Sequence, residues 1–137
     1  AHTPDAVERV LAVARASTDG RLITVLGCGG DRDPVKRPTM GAAAAAVSDL
    51  VVVTDDNPRS EDPSAIRAQV LSGITNSDVV VEVGDRRRAI EMAVHRALPG
   101  DCLMVLGKGH ETGQEVAGVM LEFDDRVELR RALGASA

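Results

Sequence analysis

The sequence contains no tryptophan, no tyrosine and a single phenylalanine, Phe123, among its 137 residues. A core without aromatic side chains must be built from valine, leucine, isoleucine, methionine and alanine, which suits helices packed closely on a sheet. The shortage also argues against binding of single-stranded nucleic acid, because such binding depends on aromatic side chains that stack on the bases. A formal net charge of −5 disfavours a general polyanion as partner, although it is compatible with a local basic pocket.

Cysteines, histidines and long apolar runs are also scarce. Cys28 and Cys102 have no CxxC spacing, and each lies at or near the end of an apolar run, where a free cysteine behaves as a small hydrophobic residue. We therefore expect no structural disulfide and a reducing compartment. No run approaches the roughly 18 apolar residues of a membrane span, and no signal peptide is visible, so we expect a soluble, cytoplasmic protein. The three histidines lack the spacing of metal ligands, and we predict no metal site.

The length is that of one domain with one core, which would bury roughly two thirds of the surface of the unfolded chain. The chain begins Ala1-His2-Thr3-Pro4 without an initiator methionine, which we interpret as a cut end. We expect residues 1–137 to form one domain of a longer protein, whose activity depends on parts that lie outside this chain.

Four apolar runs alternate with helical patterns along the chain. The runs predict strands at residues 22–26, 50–53, 79–83 and 103–106. Helices are indicated from Thr3-Pro4-Asp5, over 40–47, from Asp62-Pro63 with Ile66, Val70, Leu71 and Ile74, and around Ile90, Val94, Ala97 and Leu98. A hairpin of residues 114–116 and 119–123 around Gly118, and a last helix over 127–133 capped by Asp124 or Asp125, complete the prediction.

Apolar strands separated by amphipathic helices are typical of a parallel sheet that is covered on both faces. The sequence therefore predicts an α/β fold: a Rossmann-like, mainly parallel sheet with helices on both faces. In such a sheet, ligands bind beyond the carboxyl ends of the strands. This rule selects the loops 27–33, 55–59 and 107–112, where polar residues are concentrated.

The three loops contain a mixed set of charges: the cations Arg32 and Arg59, the anions Asp56 and Glu111, the amide of Asn57, and backbone groups at Gly107. Arginines can each bind a carboxylate through two hydrogen bonds, while acids can hold an ammonium group. The set thus suits a zwitterion such as a small amino acid better than a phosphate, which the acids would repel.

Other interpretations of these loops stay open. Arg32 occupies the place of the last glycine of GxGxxG, and Gly107-Lys108 lacks the GxxxxGK[ST] frame, so we predict neither a dinucleotide site nor a phosphate-binding loop. Asp55 and Asp56 could be solvated loop acids, with Arg59 as a surface partner of Glu61.

Two further groups of residues have open roles. Lys36-Arg37-Pro38 is either an ordinary exposed basic turn or a group that faces phosphate. His110, between glycine and glutamate in a candidate loop, could bind or orient a ligand, whereas His95 is expected to face solvent.

The strings GCGGDRDPVKRPTMG, VVVTDDNPRSEDP, LGKGHETGQ and FDDRVELRRAL, with AHTPDAV at the start, resemble the carboxyl-terminal domain of the Mur ligases. Within that family they are similar to the MurE type, which adds the third amino acid of the peptidoglycan stem peptide. The resemblance covers essentially the whole chain. DNPR is similar to the version associated with meso-diaminopimelate, whereas lysine-adding relatives have other residues there.

The resemblance implies an ATP-dependent amide ligation, in which diaminopimelate is added to UDP-MurNAc-L-Ala-D-Glu. It implies that the chain binds and positions the amino acid, with substrate contacts at Arg32, Asp56, Asn57, Arg59, Gly107 and Glu111. It also implies that ATP and Mg²⁺ are bound mainly by a central domain, and the uridine nucleotide by an amino-terminal domain, both outside this chain. No catalytic residue is then expected here, His2 is a doubtful nucleotide contact, and the isolated domain should be inactive.

Two alternatives remain at this point. One is a lysine-adding Mur ligase, which Arg59 disfavours because lysine has no second carboxylate. The other is a non-catalytic Rossmann-like module that binds an amino acid or a nucleotide. We predict neither a nucleic acid nor a membrane as partner.

Overall fold

The computed structural model describes residues 3–107, 113–116, 119–122 and 124–136. The elements follow in the order α1 (Pro4–Ala16), β1 (Leu22–Cys28), α2 (Lys36–Val47), β2 (Leu50–Asp55), α3 (Pro63–Leu71), β3 (Val80–Glu82), α4 (Arg86–Arg96), β4 (Cys102–Leu106), β5 (Gly113–Val116), β6 (Val119–Glu122) and α5 (Asp125–Ser136). The first four strands form a parallel sheet, and β5 and β6 pair antiparallel. The predicted α/β, Rossmann-like fold is confirmed.

The strand order β3-β2-β1-β4 decides where a ligand site can form. From β1 the chain first builds outward through β2 to β3, and then returns to place β4 on the other side of β1. The order therefore reverses between β1 and β4, and a crevice opens at such a reversal beyond the carboxyl ends of the two strands. The loop that follows Cys28 lies at this point, as does Gly107, the residue that follows Leu106.

The sheet is buried on both faces. All seven residues of β1 are buried, and Leu22 and Leu26 face a cluster that includes Leu11 of α1 and Ala44 of α2. On the other face, β-strand side chains such as Val25 pack with α4 and with Ala132 of α5. Small residues on α2 and α4 let these helices approach the strands closely, as the lack of aromatic residues requires.

Several predicted helix boundaries need correction. α2 begins at Lys36, four residues before the predicted start, because a proline such as Pro38 is compatible with the first helical turn. The helical assignment of Ile74 is wrong because α3 ends at Leu71. Likewise, α4 ends at Arg96, so Ala97 and Leu98 are not helical. The extended backbone of Ala97 fits a chain that is leaving the helix shortly before Pro99.

The carboxyl-terminal elements agree with the prediction where they are described. β5 and β6 form the expected hairpin, while Gly118 and Phe123 lie outside the described residues. Asp124 precedes α5 and accepts a hydrogen bond from the Arg126 backbone N–H at 2.9 Å. Among the described helices, none combines the length and the apolar character that a membrane crossing requires. Cys28 and Cys102 are both free thiols.

A buried ion pair joins the carboxyl edge of the sheet to the last helix. Arg86, 1% exposed, donates from Nε and Nη2 to the two carboxylate oxygens of Asp125, at 2.7 Å and 2.6 Å. It also donates to the carbonyl oxygens of Asp55 at 2.9 Å and Leu106 at 3.2 Å. These carbonyls end the two strands that flank β1, so one side chain satisfies buried acceptors on both sides of the central strand.

We predict that Arg86→Met lowers the free energy of unfolding of this chain by about 3–5 kcal/mol, because it leaves the carboxylate of Asp125 buried without its partner. The double variant Arg86→Met/Asp125→Leu should recover part of this loss, since no unpaired charge remains. Urea denaturation followed by circular dichroism measures both. A double variant that is less stable than the single one would contradict the account.

Candidate functional site

Gly107, the first residue after β4, lies against Gly27 near the end of β1. Gly107 has a φ of +109°, a backbone conformation that favours glycine. A Cβ at this position would lie 2.4 Å from the carbonyl oxygen of Gly27. Any larger residue would therefore push the loop after β4 away from the end of β1. The structure thus brings Gly107, a predicted site residue, directly against the first loop.

The loops after β1 and β2 form one hydrogen-bonded unit. The Gly30 N–H donates to the carbonyl oxygen of Asn57 at 2.7 Å, and the Asp31 N–H donates to Glu61 Oε2 at 2.6 Å. The Ser60 hydroxyl donates to Asp31 Oδ1 at 2.5 Å. A Cβ at Gly30 would lie 1.8 Å from the Pro58 carbonyl oxygen, so the two backbones are in contact. The second loop therefore fixes the position of the first.

Arg59 reaches from the second loop to the first. Its φ of +53° lies in the left-handed region, which costs a residue other than glycine roughly 1–2 kcal/mol. Its Nη1 donates to the carbonyl oxygens of Gly30 at 2.9 Å and Asn57 at 3.3 Å. Backbone strain of this kind often occurs at ligand sites, where surrounding contacts offset it.

Three of the predicted site residues surround a single point beside Gly29. A Cβ at Gly29 would lie 2.9 Å from Arg59 Nη1, 3.7 Å from Arg32 Cγ and 3.7 Å from Asp56 Oδ2. The structure thus brings together two arginines and one carboxylate from two separate loops. Only a residue without a side chain leaves this space open.

A pocket of about 220 Å³ opens beside this point. Its walls come from the end of β1, the first turns of α2 and the start of the second loop: Gly27, Cys28, Gly29, Arg32, Asp33, Lys36, Arg37, Met40 and Asp56. Arg32 and Lys36 are exposed, whereas Asp56 is buried. The wall therefore presents charges of both signs to a small ligand.

The remaining predicted residues take different places. Asn57 is buried, and its carbonyl oxygen holds the first loop. Arg59, Asn57 and Gly107 are not among the residues that line the pocket, and Arg59 approaches it only through the contact of its Nη1 with the space beside Gly29. Glu111 lies outside the described residues, as do His2 and His110.

Asp55 is not a solvated loop acid, as one interpretation had it. Arg67 Nη1 contacts Asp55 Oδ1 at 2.5 Å, and both side chains are largely buried. Burial raises the pKa of the Asp55 carboxyl, and the hydrogen bond from Arg67 opposes that rise. Of the two successive acids, Asp55 therefore belongs to a structural ion pair, and Asp56 faces the pocket.

Arg37 is a pocket residue that was not predicted as a site residue, and the interpretation of Lys36-Arg37-Pro38 as an exposed basic turn is wrong for Arg37. The side chain is 2% exposed and lies in the first turn of α2. Its spacing with Met40, Gly41 and Ala44 is i, i+3, i+4, i+7, which marks the buried face of a helix and could have located it. The helix predicted from the sequence starts only at Met40, so Arg37 lay outside it and its place on the buried face was not predicted.

The charges and thiol around the pocket have perturbed pKa values. Hydrogen bonds from the Arg37 guanidinium and then from the Asp31 N–H hold the pKa of Glu61 below its usual range. Burial raises the pKa of Cys28 to about 11, so its thiol stays protonated at neutral pH and is neither a nucleophile nor a ready metal ligand. In the part of the chain that the structure describes, no group of three His, Cys, Asp or Glu side chains could hold a metal ion.

A larger hollow of about 750 Å³ lies between α4 and α5. It is formed by the sides of two helices, including Met92, His95 and Ala132, and not by the loops after the parallel strands. Its size alone would favour the larger hollow as the ligand site. The smaller pocket is the better candidate because charges of both signs line it and because it lies where the strand order reverses.

The fold and the pocket define a class: an α/β domain with a small pocket, lined by charges of both signs, at the carboxyl edge of its parallel sheet. The family model described as Mur ligase, glutamate ligase domain, matches residues 1–109. This chain belongs to the Mur ligase family.

Relatives with known names are similar over almost the whole chain. The UDP-N-acetylmuramoyl-L-alanyl-D-glutamate–2,6-diaminopimelate ligase of Chelativorans sp. (strain BNC1) is 56% identical over 97% of this chain and 27% of its own length. A solved structure of a ligase with the same name has a TM-score of 0.94 at 46% identity, over 99% of this chain and 28% of that one. The chain therefore spans little more than a quarter of these relatives.

A more distant solved structure is folylpolyglutamate synthase from Mycobacterium tuberculosis, complexed with ADP and AMPPCP. It has a TM-score of 0.59 and 27% identity, over 78% of this chain and 25% of that one. The fold is thus shared with a second kind of ligase.

We predict that Glu61→Gln lowers stability near neutral pH and that the loss shrinks in acid. The pKa of Glu61 is lowered in the folded state, so its contribution is complete above the ordinary glutamate value of about 4.3 and disappears as the pH falls through the lower folded value. Urea unfolding of both proteins over a range of pH tests this. Parallel stability curves would show that the carboxylate does not contribute.

Proposed function

We propose that this chain is the amino-acid-binding, carboxyl-terminal domain of an ATP-dependent ligase that joins meso-diaminopimelate to UDP-MurNAc-L-Ala-D-Glu in peptidoglycan synthesis. The observation that carries the proposal is the convergence of Arg32, Arg59 and Asp56 around Gly29. The names of the relatives support the substrate and the reaction. Since the chain covers little more than a quarter of those relatives, the proposal places uridine-nucleotide and ATPase domains outside it.

The chemistry of diaminopimelate matches the charges of the site. The molecule has two amino-acid heads, so one amine can react while the carboxylate and ammonium of the other head are held. In the proposed complex, guanidinium groups of Arg32 and Arg59 receive carboxylates, and Asp56 receives an ammonium group. Asn57, Gly107 and Glu111 complete the proposed set of contacts.

Arg59 would discriminate against lysine. Lysine lacks the second carboxylate, so a guanidinium taken out of water on binding would lose its partner. The resulting penalty is about 1–3 kcal/mol.

ATP does not fit the described residues. The pocket is small and contains Asp33 and Asp56, which would repel phosphate groups, while the cation of Arg37 is already paired with Glu61. The sequence also lacks a phosphate-binding glycine loop. This chain would therefore hold and orient the amino acid, while ATP and Mg²⁺ bind elsewhere in the full protein. A nucleotide-linked substrate and ATP both indicate the cytoplasm as the place of the reaction.

We predict that Arg59→Ala in the full-length enzyme raises the KM for diaminopimelate about 5- to 150-fold, the equivalent of 1–3 kcal/mol, and leaves the KM for ATP nearly unchanged. Steady-state phosphate release measures both constants. Arg9→Ala, on the exposed side of α1, is the matched control and should change neither.

Ligation with diaminopimelate and lysine in competition tests the substrate itself. The unaltered enzyme should select diaminopimelate. Selection of lysine would identify a lysine-adding ligase, and ligation of neither would favour a binding module. Equal effects of Arg59→Ala on both KM values would contradict the role of this residue.

We predict that the isolated 137-residue chain shows no ATP binding in titration calorimetry at about millimolar nucleotide. The reason is that the described pocket has no group of unpaired cations large enough for a triphosphate. Circular dichroism of the same sample confirms that the chain is folded. A micromolar affinity for ATP would overturn the assignment of ATP to other domains.

A further inference from the structure

Arg37 makes an unusual set of contacts for a residue that does not belong to the proposed substrate contacts. Its Nη2 donates to the carbonyl oxygen of Gly29 at 2.9 Å and to Glu61 Oε2 at 2.7 Å. Its Nη1 donates to Glu61 Oε1 at 3.1 Å and to Gln69 Oε1 at 2.7 Å. One buried guanidinium thus joins the first loop, the second loop and α3.

Two of the three partners of Arg37, Gly29 and Glu61, lie close in the chain to the proposed substrate contacts. Gly29 is the point around which Arg32, Asp56 and Arg59 converge. Glu61 follows Arg59 by two residues, and its Oε2 also accepts the N–H of Asp31, the residue before Arg32. The contacts of Arg37 therefore link the loop that contains Arg32 to the loop that contains Arg59, in addition to the direct hydrogen bonds between these loops.

We propose that Arg37 is a positioning residue of the amino-acid site, because its guanidinium fixes the spacing between the loops that carry Arg32 and Arg59. The inference rests on the proposed function, since its readout is the affinity for the amino acid. Lysine could not replace Arg37, because an ammonium group is a single point charge and cannot span a carbonyl, a carboxylate and an amide in one plane.

Arg15 provides a matched control at the opposite edge of the sheet. Its guanidinium also joins two loops, the one before β2 and the one before β1. It donates to Asp49 Oδ2 at 2.8 Å and to the Gly20 carbonyl oxygen at 2.5 Å. Asp49 and Gly20 precede β2 and β1, so these contacts lie far from the strand ends that form the pocket. Arg15→Lys and Arg37→Lys are therefore the same chemical change at the two ends of the sheet.

The test uses the full-length enzyme. In Arg37→Lys, the KM for diaminopimelate should rise about tenfold or more while the KM for ATP stays within about twofold, because a small displacement of binding groups weakens only the site that they form. Arg15→Lys should leave both KM values unchanged, even if it lowers the melting temperature as much as Arg37→Lys does. A purely structural role of Arg37 would change both KM values together, or neither, and would overturn the inference.

A second variant tests whether Arg37 acts through its ion pair with Glu61. Glu61→Gln removes the negative charge and replaces one of the two carboxylate oxygens that accept from Arg37 by an amide donor. Its effect on the KM for diaminopimelate should therefore not add to that of Arg37→Lys in the double variant. Additive effects would show that the two residues act independently and would contradict the inference.

A direct measurement covers the case in which a variant loses activity. Hydrogen exchange of the peptide that contains Gly30 and Asp31 should become faster in Arg37→Lys but not in Arg15→Lys, and unchanged exchange would overturn the inference.

The two proposals fail in different ways. If the unaltered enzyme ligates lysine, the proposed substrate is wrong, and the KM comparison for Arg37→Lys is made with lysine. If it ligates no amino acid, both proposals are overturned. If it ligates diaminopimelate but Arg37→Lys shows no selective effect, only the positioning role is wrong.

Discussion

The buried guanidinium of Arg86 is the contact on which the carboxyl edge of the sheet depends. It satisfies backbone carbonyls at the ends of β2 and β4 and pairs with Asp125 at the start of α5. A Cβ at Gly27 would lie 2.9 Å from Arg86 Nη1, and Gly107 in turn packs on the Gly27 carbonyl. The strand ends from which the pocket loops begin are therefore held by one charged group that water hardly reaches.

Above this edge, two more arginines hold the first loop at neighbouring peptide groups. Arg37 donates to the Gly29 carbonyl oxygen and Arg59 to that of Gly30. Such hydrogen bonds keep the side chains of a binding site in place before a ligand arrives. This reduces the conformational entropy that is lost on binding. The positive φ values of Asp31 in the first loop and Arg59 in the second loop fit loops whose shapes are imposed by their surroundings. In the proposed function, such rigidity would help the site to distinguish one amino acid from another.

The sequence predicted the parallel sheet well, because its four strands coincide with the predicted apolar runs and a helical pattern separates each run from the next. Capping residues such as Thr3 and Asp62 also marked helix starts correctly, since their side chains accept backbone N–H groups of the first turn. The prediction failed at Ile74 and Leu98, where helical spacing continued past the true helix end. Apolar spacing alone does not show where the chain leaves a helix, because turn geometry and packing decide it.

By itself, the sequence determined which residues lie after the parallel strands, because chain order and strand direction place every strand end at one edge of the sheet. Tertiary structure alone decided how those residues divide their roles. Of two adjacent acids, Asp55 pairs with Arg67 while Asp56 lines the pocket. Arg37, which lies outside the three loops, became central because the folded chain brings it to partners 8, 24 and 32 positions away. Local patterns carry no information about contacts over such separations, since these form only when the helices pack on the sheet.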